Sequence, residues 1–283
     1  SSDWSSDVCS SDLLQPKTGN TFWNNEIFVT FKKIPGDEKS LSNNIVRTIY
    51  TDKNGNIWIG TKGGGLNKLT KEQARNNDVK SAKFIQYKHE PDNDNSLSND
   101  NVYTIFEDVA GIIWIGTNGG GLNRFDPYEE KFVHFKHNPD DPTSLPNNYI
   151  WAIREDYLGT LWVATGNGLA KFDRQTEHFT TYRHDPENVY SISSTNTIRC
   201  IYEDKSGVLW VGTYNGLNKF NREEESFIHY KMADGLPSNM IYGILEDGEA
   251  NLWLSTGHGL SKFNPLTETF KNYDVNDGLQ SNE

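Results

Sequence analysis

The sequence predicts an all-β fold, a β-propeller of four-stranded antiparallel blades. Three observations predict it. An apolar strand centred on tryptophan recurs five times: IWIGT (57–61), IWIGT (113–117), LWVAT (161–165), LWVGT (209–213) and LWLST (252–256). Its anchors Trp58, Trp114, Trp162, Trp210 and Trp253 lie 56, 48, 48 and 43 residues apart, the length of a four-strand propeller unit. Around each anchor, short apolar runs and Gly- or Asn-rich turns return in a fixed order, as hairpin-joined strands require.

Each unit opens on SLSNN (40–44), SLSND (96–100), SLPNN (144–148) or LPSN (236–239). A β-rich run follows: IVRTIY (45–50), VYTIF (102–106), IWAIR (150–154), IRCIY (198–202) or IYGIL (241–245). This is the expected inner strand. A turn comes next, with Asp and, three residues on, Gly: Asp52/Gly55, Asp108/Gly111, Asp156/Gly159 and Asp204/Gly207, but Asp247 with Ala250. Asp caps such a turn and Gly takes its positive φ. The tryptophan strand, a Gly-rich turn and a third strand such as LNRFD (122–126) follow. The unit closes on F-x-x-Y/F: Phe84/Tyr87, Phe132/Phe135, Phe179/Tyr182, Phe227/Tyr230 and Phe270/Tyr273.

These parts divide the chain into five complete blades, at about 40–95, 96–143, 144–190, 191–235 and 236–278. FVTFK (28–32) matches FVHFK (132–136), so 14–39 reads as the tail of a preceding blade. LQSNE (279–283) reads as the first residues of a following one. A blade buries its faces only against its neighbours, and an open arc exposes two flat edges. The expectation is a fragment of a longer propeller.

Composition narrows the function. The net charge is −12, with 39 acidic against 27 basic residues, the opposite of the basic stripe of a nucleic-acid binder. Aromatics make up 12% of the chain, too many for an acidic disordered segment. No apolar run is long enough for a membrane helix. Residues 1–13, SSDWSSDVCSSDL, stutter unlike anything downstream. They resemble the translated read-through of a sequencing adapter and are expected to be an unstructured artefact. Cys9 lies there, which leaves Cys200 alone and excludes a disulfide framework or a zinc cluster.

LPNNYIWAIREDYLGTLWVATGNGLAKF (145–172) and LSNDNVYTIFEDVAGIIWIGTNGGGLNRF (97–125) resemble the two-component regulator propeller repeat. The likeness extends over about 14–283. It implies a seven-bladed propeller, often one of a tandem pair, of which this chain would be part. It further implies the periplasmic sensor of a membrane-bound histidine kinase or hybrid kinase, with an oligosaccharide as the usual signal and many relatives in Bacteroidetes. A downstream kinase and an immunoglobulin-like module in the full-length chain are the implied partners, with a homodimer as a further expectation. No cofactor and no nucleic acid are called for.

Repetition supplies an internal control: constant columns are scaffold, and columns that vary in chemistry are candidates for function. The tryptophans are constant and read as core between blades. Within the inner strand the first and fourth positions are aliphatic, and the third is small: Thr48, Thr104, Ala152, Cys200 and Gly243. Cys200 is then a packing residue. The second position varies: Arg47, Tyr103, Trp151, Arg199 and Tyr242. These side chains are expected to ring the channel mouth and bind ligand. Aromatic rings cover sugar C–H faces at low entropic cost, and Arg offers forked donors to hydroxyls, a uronate or a sulfate. An Arg–aromatic collar that merely plugs the channel is an equal alternative. The residue after each tryptophan strand faces the same surface; Lys62, Asn118 and Tyr214, with His258 in the fifth Gly turn, form a secondary set. The Asn/Asp column before the inner strand (Asn44, Asp100, Asn148, Asn196, Asn239, Asn282) reads chiefly as turn-fixing.

Enzyme signals are poor: the seven histidines show no metal spacing, and no catalytic residue is assigned. The reading is a non-catalytic sensor, with a protein-interaction scaffold as the alternative and a propeller lyase or hydrolase a more distant one. The triple glycines of IWIGTNGGG imitate a phosphate loop, but they recur between two strands and make a hairpin turn.

Overall fold

The computed structural model describes residues 12–13, 29–75, 82–193 and 197–281. Among them, five four-stranded antiparallel sheets follow one another along the chain, each with its strands adjacent in sequence order. The inner strands are Val46–Thr51, Val102–Glu107, Ile150–Glu155, Ile198–Glu203 and Ile241–Glu246. The tryptophan strands pair with them at Ile57–Thr61, Ile113–Thr117, Leu161–Thr165, Leu209–Thr213 and Leu252–Thr256. Two compact units result. Residues 1–119 and 123–134 form one and carry the first two blades; residues 120–122 and 135–283 form the other and carry the third to fifth.

One carboxylate organises each blade. Asp52 Oδ1 accepts the backbone N–H groups of Asn54 and Asn56, and its Oδ2 accepts the indole N–H of Trp58 at 2.9 Å. The indole bond recurs at Asp108–Trp114 (2.9 Å), Asp156–Trp162 (2.7 Å), Asp204–Trp210 (2.7 Å) and Asp247–Trp253 (3.0 Å). The turn column and the tryptophan column are therefore one device. It lets a large ring enter the core with its only donor satisfied.

Within each unit the core lies between successive blades. Trp58 meets Phe125 edge-on at 5.6 Å within a cluster that includes Val102, Ile113 and Phe132. In the second unit Trp162 meets Phe220 at 5.0 Å and Trp210 meets Phe263 at 5.6 Å in the same way. Trp253 is only half-buried, stacked on Tyr273 at 5.3 Å, and no sheet covers that face among the described residues.

Small third-position residues allow this approach. Thr48 faces Gly60 and Cys200 faces Gly212 across the first hairpin. A Cβ on Gly60 would strike Thr48 and the next blade's Val102; one on Gly212 would strike Cys200 and Ile241.

Two further links tie neighbouring blades, and the sequence reading missed both. The carboxylate ending an inner strand accepts a backbone N–H from the preceding blade's Asp turn: Lys53 to Glu107 (2.7 Å), Tyr157 to Glu203 (2.9 Å) and Lys205 to Glu246 (2.9 Å). A glutamate in left-handed backbone precedes four outer strands: Glu130, Glu177, Glu225 and Glu268, at φ 48 to 57°. Tyr87 donates to Glu130 at 3.2 Å and Tyr230 to Glu268 at 2.7 Å. Their signal is an E-x-F column at 130–132, 177–179, 225–227 and 268–270.

The ends differ from expectation. Asp12–Leu13, assigned to the unstructured artefact, pair with Val29–Thr30. That part of the expected outer strand at 28–32 thus pairs with a two-residue partner; Phe28 and the rest of 14–28 lie outside the described residues. The long first spacing accommodates a short helix, Lys71–Arg75, which strand periodicity could not announce. Among the described residues, no helix is long and apolar enough to cross a membrane.

Candidate ligand-binding face

Every inner strand carries a register shift at one place. Val46 pairs with Thr61 and Thr48 with Gly60, so Arg47 has no opposite number. The same shift skips Tyr103, Trp151, Arg199 and Tyr242. All five second-position candidates are bulged residues. A bulge adds one residue, sharpens the local twist and re-aims a side chain. It also explains why the first and fourth positions are both aliphatic: uninterrupted alternation would set them on opposite faces. That broken period is the signal in the sequence that marks the bulge.

In the first unit the Arg47 guanidinium lies 5.2 Å from the centre of the Tyr103 ring. In the second unit Arg199 is surrounded by rings, at 4.4 Å from Trp151, 5.5 Å from Tyr214 and 5.8 Å from Tyr242. Primary and secondary candidates thus meet at one cation. Tyr214 and Tyr242 remain 40% and 42% exposed, so the cluster presents ring surface to solvent. Lys62, Asn118 and His258 are not part of either cluster. Their backbones belong to the hairpin joints: Lys62 N–H donates to Ile45, Asn118 N–H to Asn101, and His258 N–H to the Thr256 hydroxyl.

Two residues on this surface escaped the sequence reading. Tyr149 and Met240, which precede the inner strands of the third and fifth blades, are 48% and 37% exposed. Each lies beside a glycine: a Cβ on Gly166 would meet Tyr149 and one on Gly257 would meet Met240. In the fourth blade the sizes are reversed, with Thr197 before the strand and Tyr214 at the glycine position. Each blade of this unit therefore places one bulky side chain at the same joint. The exchange is visible only when the two columns are read together.

The other candidates resolve as structure. Asn44, Asp100, Asn148 and Asn239 each accept a backbone N–H from a residue two or three beyond the preceding outer strand, at 2.7 to 2.8 Å. Asn196 and Asn282 lie outside the described residues. His89, His137 and His184 each bond a carbonyl of their own connector through Nδ1. Burial pushes the Cys200 thiol up to about 12, which suits packing and not nucleophilic attack. No three His, Cys, Asp or Glu side chains group as a metal set among the described residues. Two clefts, of about 510 and 350 Å³, lie elsewhere: one beside Tyr182, Arg183 and Glu225, the other beside Val208, Lys219 and Arg222.

The sheets and the Asp–Trp repeat define a β-propeller of repeated blades. In four of those blades, residues 40–63, 96–119, 144–167 and 191–215 match the two-component regulator propeller family. The extracellular domain of a hybrid two-component system from B. thetaiotaomicron is similar over 85% of this chain and 31% of its own, at 29% identity and a TM-score of 0.68. A second such domain from the same organism matches 89% of this chain and 40% of its own, at 21% identity and a TM-score of 0.61. The chain thus spans about a third to two fifths of these relatives. Virginiamycin B lyase from Staphylococcus aureus shares the fold alone, at 14% identity over 91% of this chain and 76% of its own, with a TM-score of 0.63. No curated protein sequence matches the chain.

Proposed function

We propose that this chain is part of an extracytoplasmic sensor propeller that binds an oligosaccharide on the face carrying the bulged residues. In this reading the chain has no catalytic role. Occupancy passes to a histidine kinase in the full-length protein, through an adjoining immunoglobulin-like module, and a homodimer is one arrangement in which it would signal. The observation that carries the reading is the cluster of Trp151, Tyr214 and Tyr242 about Arg199. Three rings held by one cation form a preorganised surface, so little side-chain entropy is lost when a sugar settles on it. Likeness to the extracellular domain of a hybrid two-component system supports the periplasmic location and the kinase in this reading.

Calorimetry with a panel of oligosaccharides tests the site. At least one glycan is expected to bind, with Trp151→Ala and Tyr214→Ala each weakening it about ten-fold or more. If no glycan binds, or both variants bind like wild type, the assignment is wrong and a protein-interaction role becomes the better reading. Turnover of a bound glycan would instead favour a lyase or hydrolase.

A further inference from the structure

We infer that Arg199 is an anion-binding point and that the glycan taken by this face carries a carboxylate or a sulfate; the inference rests on the oligosaccharide reading above. Arg199 is half-buried and packed on three rings. Arg222, in the same unit, is similarly stacked, 5.2 Å from the Tyr157 ring. Arg222 also has two carboxylates, Asp156 at 2.6 Å and Glu203 at 3.0 Å. Among the described residues Arg199 forms no ion pair with a carboxylate; its guanidinium packs on the three rings. A guanidinium satisfied on its faces alone keeps its in-plane N–H fork for a guest. Ring faces offset part of the cost of partly burying the cation; an anionic guest would offset the rest.

The surrounding charge has the same direction. The inner strand that holds Arg199 near its start ends at Glu203, followed by Asp204. Glu155–Asp156 and Glu246–Asp247 occupy the corresponding ends in the flanking blades. Along its own strand, at about 3.3 Å per residue, Glu203 and Asp204 stand about 13 Å or more from Arg199 along the backbone, beyond a Debye length of about 8 Å. At the starting end of these strands, Tyr149, Trp151, Thr197, Arg199, Met240 and Tyr242 include no acid. These strands therefore carry their acids at the far end, and the six described residues named at the Arg199 end bring no carboxylate beside it. A planar carboxylate or a sulfate fits the fork in two-point fashion, which a lone hydroxyl cannot do.

The test uses the 283-residue chain and three length-matched oligosaccharides: neutral, uronic-acid-containing and sulfated. Titrations are run at low and high salt with wild type, Arg199→Gln and Arg199→Lys. One charged ligand is expected to bind about ten-fold or more tighter than the neutral one, and to weaken with salt. Which charged ligand binds distinguishes carboxylate from sulfate. Arg199→Gln should remove the preference, and Arg199→Lys, which keeps the charge without the fork, should restore part of it. Thermal melts establish that the variants fold. Should Arg199→Gln not fold, the wild-type preference and its salt dependence decide alone. If neutral and charged ligands bind alike and Arg199→Gln changes neither, the anion site fails while the glycan reading survives. If none of the three binds, both fail.

Discussion

The indole N–H of Trp162 and the guanidinium of Arg222 converge on one oxygen, Asp156 Oδ2, at 2.7 and 2.6 Å. The other oxygen of that carboxylate closes the turn through Leu158 and Thr160. Asp156 thus joins a turn, a core ring and the following blade. Asp156→Ala would strand a buried indole donor and leave Arg222 with Glu203 as its remaining carboxylate. The expected loss is roughly 3–5 kcal/mol, measured by urea unfolding, and Asp156→Asn should lose less because it keeps an acceptor.

The same carboxylates set the acid limit. Burial alone would raise Asp52 and Asp156, but hydrogen bonds from Asn56 and Trp58, and from Trp162 and Arg222, outweigh it and hold both below the usual range. Asp247 is held lower still, chiefly by the backbone N–H of Asn251. A folded value below the unfolded one gives stability that is complete above the unfolded value and is lost as pH falls through the folded one. Unfolding free energy should therefore drop below about pH 4. Asp156→Asn should make that drop shallower; equal slopes in the two proteins would contradict the assignment.

At the alkaline end the tyrosines act. Burial, followed by the neighbouring glutamate, raises the hydroxyls of Tyr87, Tyr182 and Tyr230 well above the ordinary value. Their contribution is complete below about pH 10 and is lost as pH rises through the folded value. Tyr230→Phe should cost about 1 kcal/mol near neutrality and reduce the steepness of alkaline unfolding. An unchanged alkaline limb would remove the Tyr230–Glu268 pair from the account.

Ala250 adopts φ 61° where the other Asp turns have glycine. The left-handed region costs an L-residue about 1–2 kcal/mol, and glycine's extra unfolded-state freedom returns part of that. Ala250→Gly should raise the melting temperature by a few degrees. A fall would mean that the Ala250 methyl makes a contact worth more than the backbone strain.

Cys200 should be inert in the folded chain. With its thiol pushed up to about 12, the reactive thiolate is scarce at pH 8. In a Cys9→Ser background, a disulfide reagent should label Cys200 slowly until denaturant is added. Fast labelling without denaturant would contradict its packing role beside Gly212.

The blades were legible because each is written five times. The tryptophan strand, the Asp turn and the aromatic outer strand keep their spacing, and the fold follows from that recurrence. What escaped was of two kinds. Bonds between columns, such as Trp162 with Asp156, join residues six apart that were read separately, one as core and one as cap. Links between blades, such as Tyr230 with Glu268, cross 38 residues and depend on packing that a single unit does not contain. The helix Lys71–Arg75 occurs in one spacing only, where repetition gives no help. Of the candidate residues, those brought together at Arg199 came from varying columns read individually, whereas Tyr149 and Met240 needed two columns compared.

The bulge in each inner strand also bears on how such a chain can change. A residue without an opposite number in the ladder can be exchanged with little effect on register, while its neighbours hold the hairpin. Arg47, Tyr103, Trp151, Arg199 and Tyr242 therefore behave as five sockets on an unchanging frame. Duplication copies the socket along with the blade, and point substitution then gives each copy its own letter. Specificity in a protein of this design can diverge one blade at a time, without insertions and without renegotiating the core.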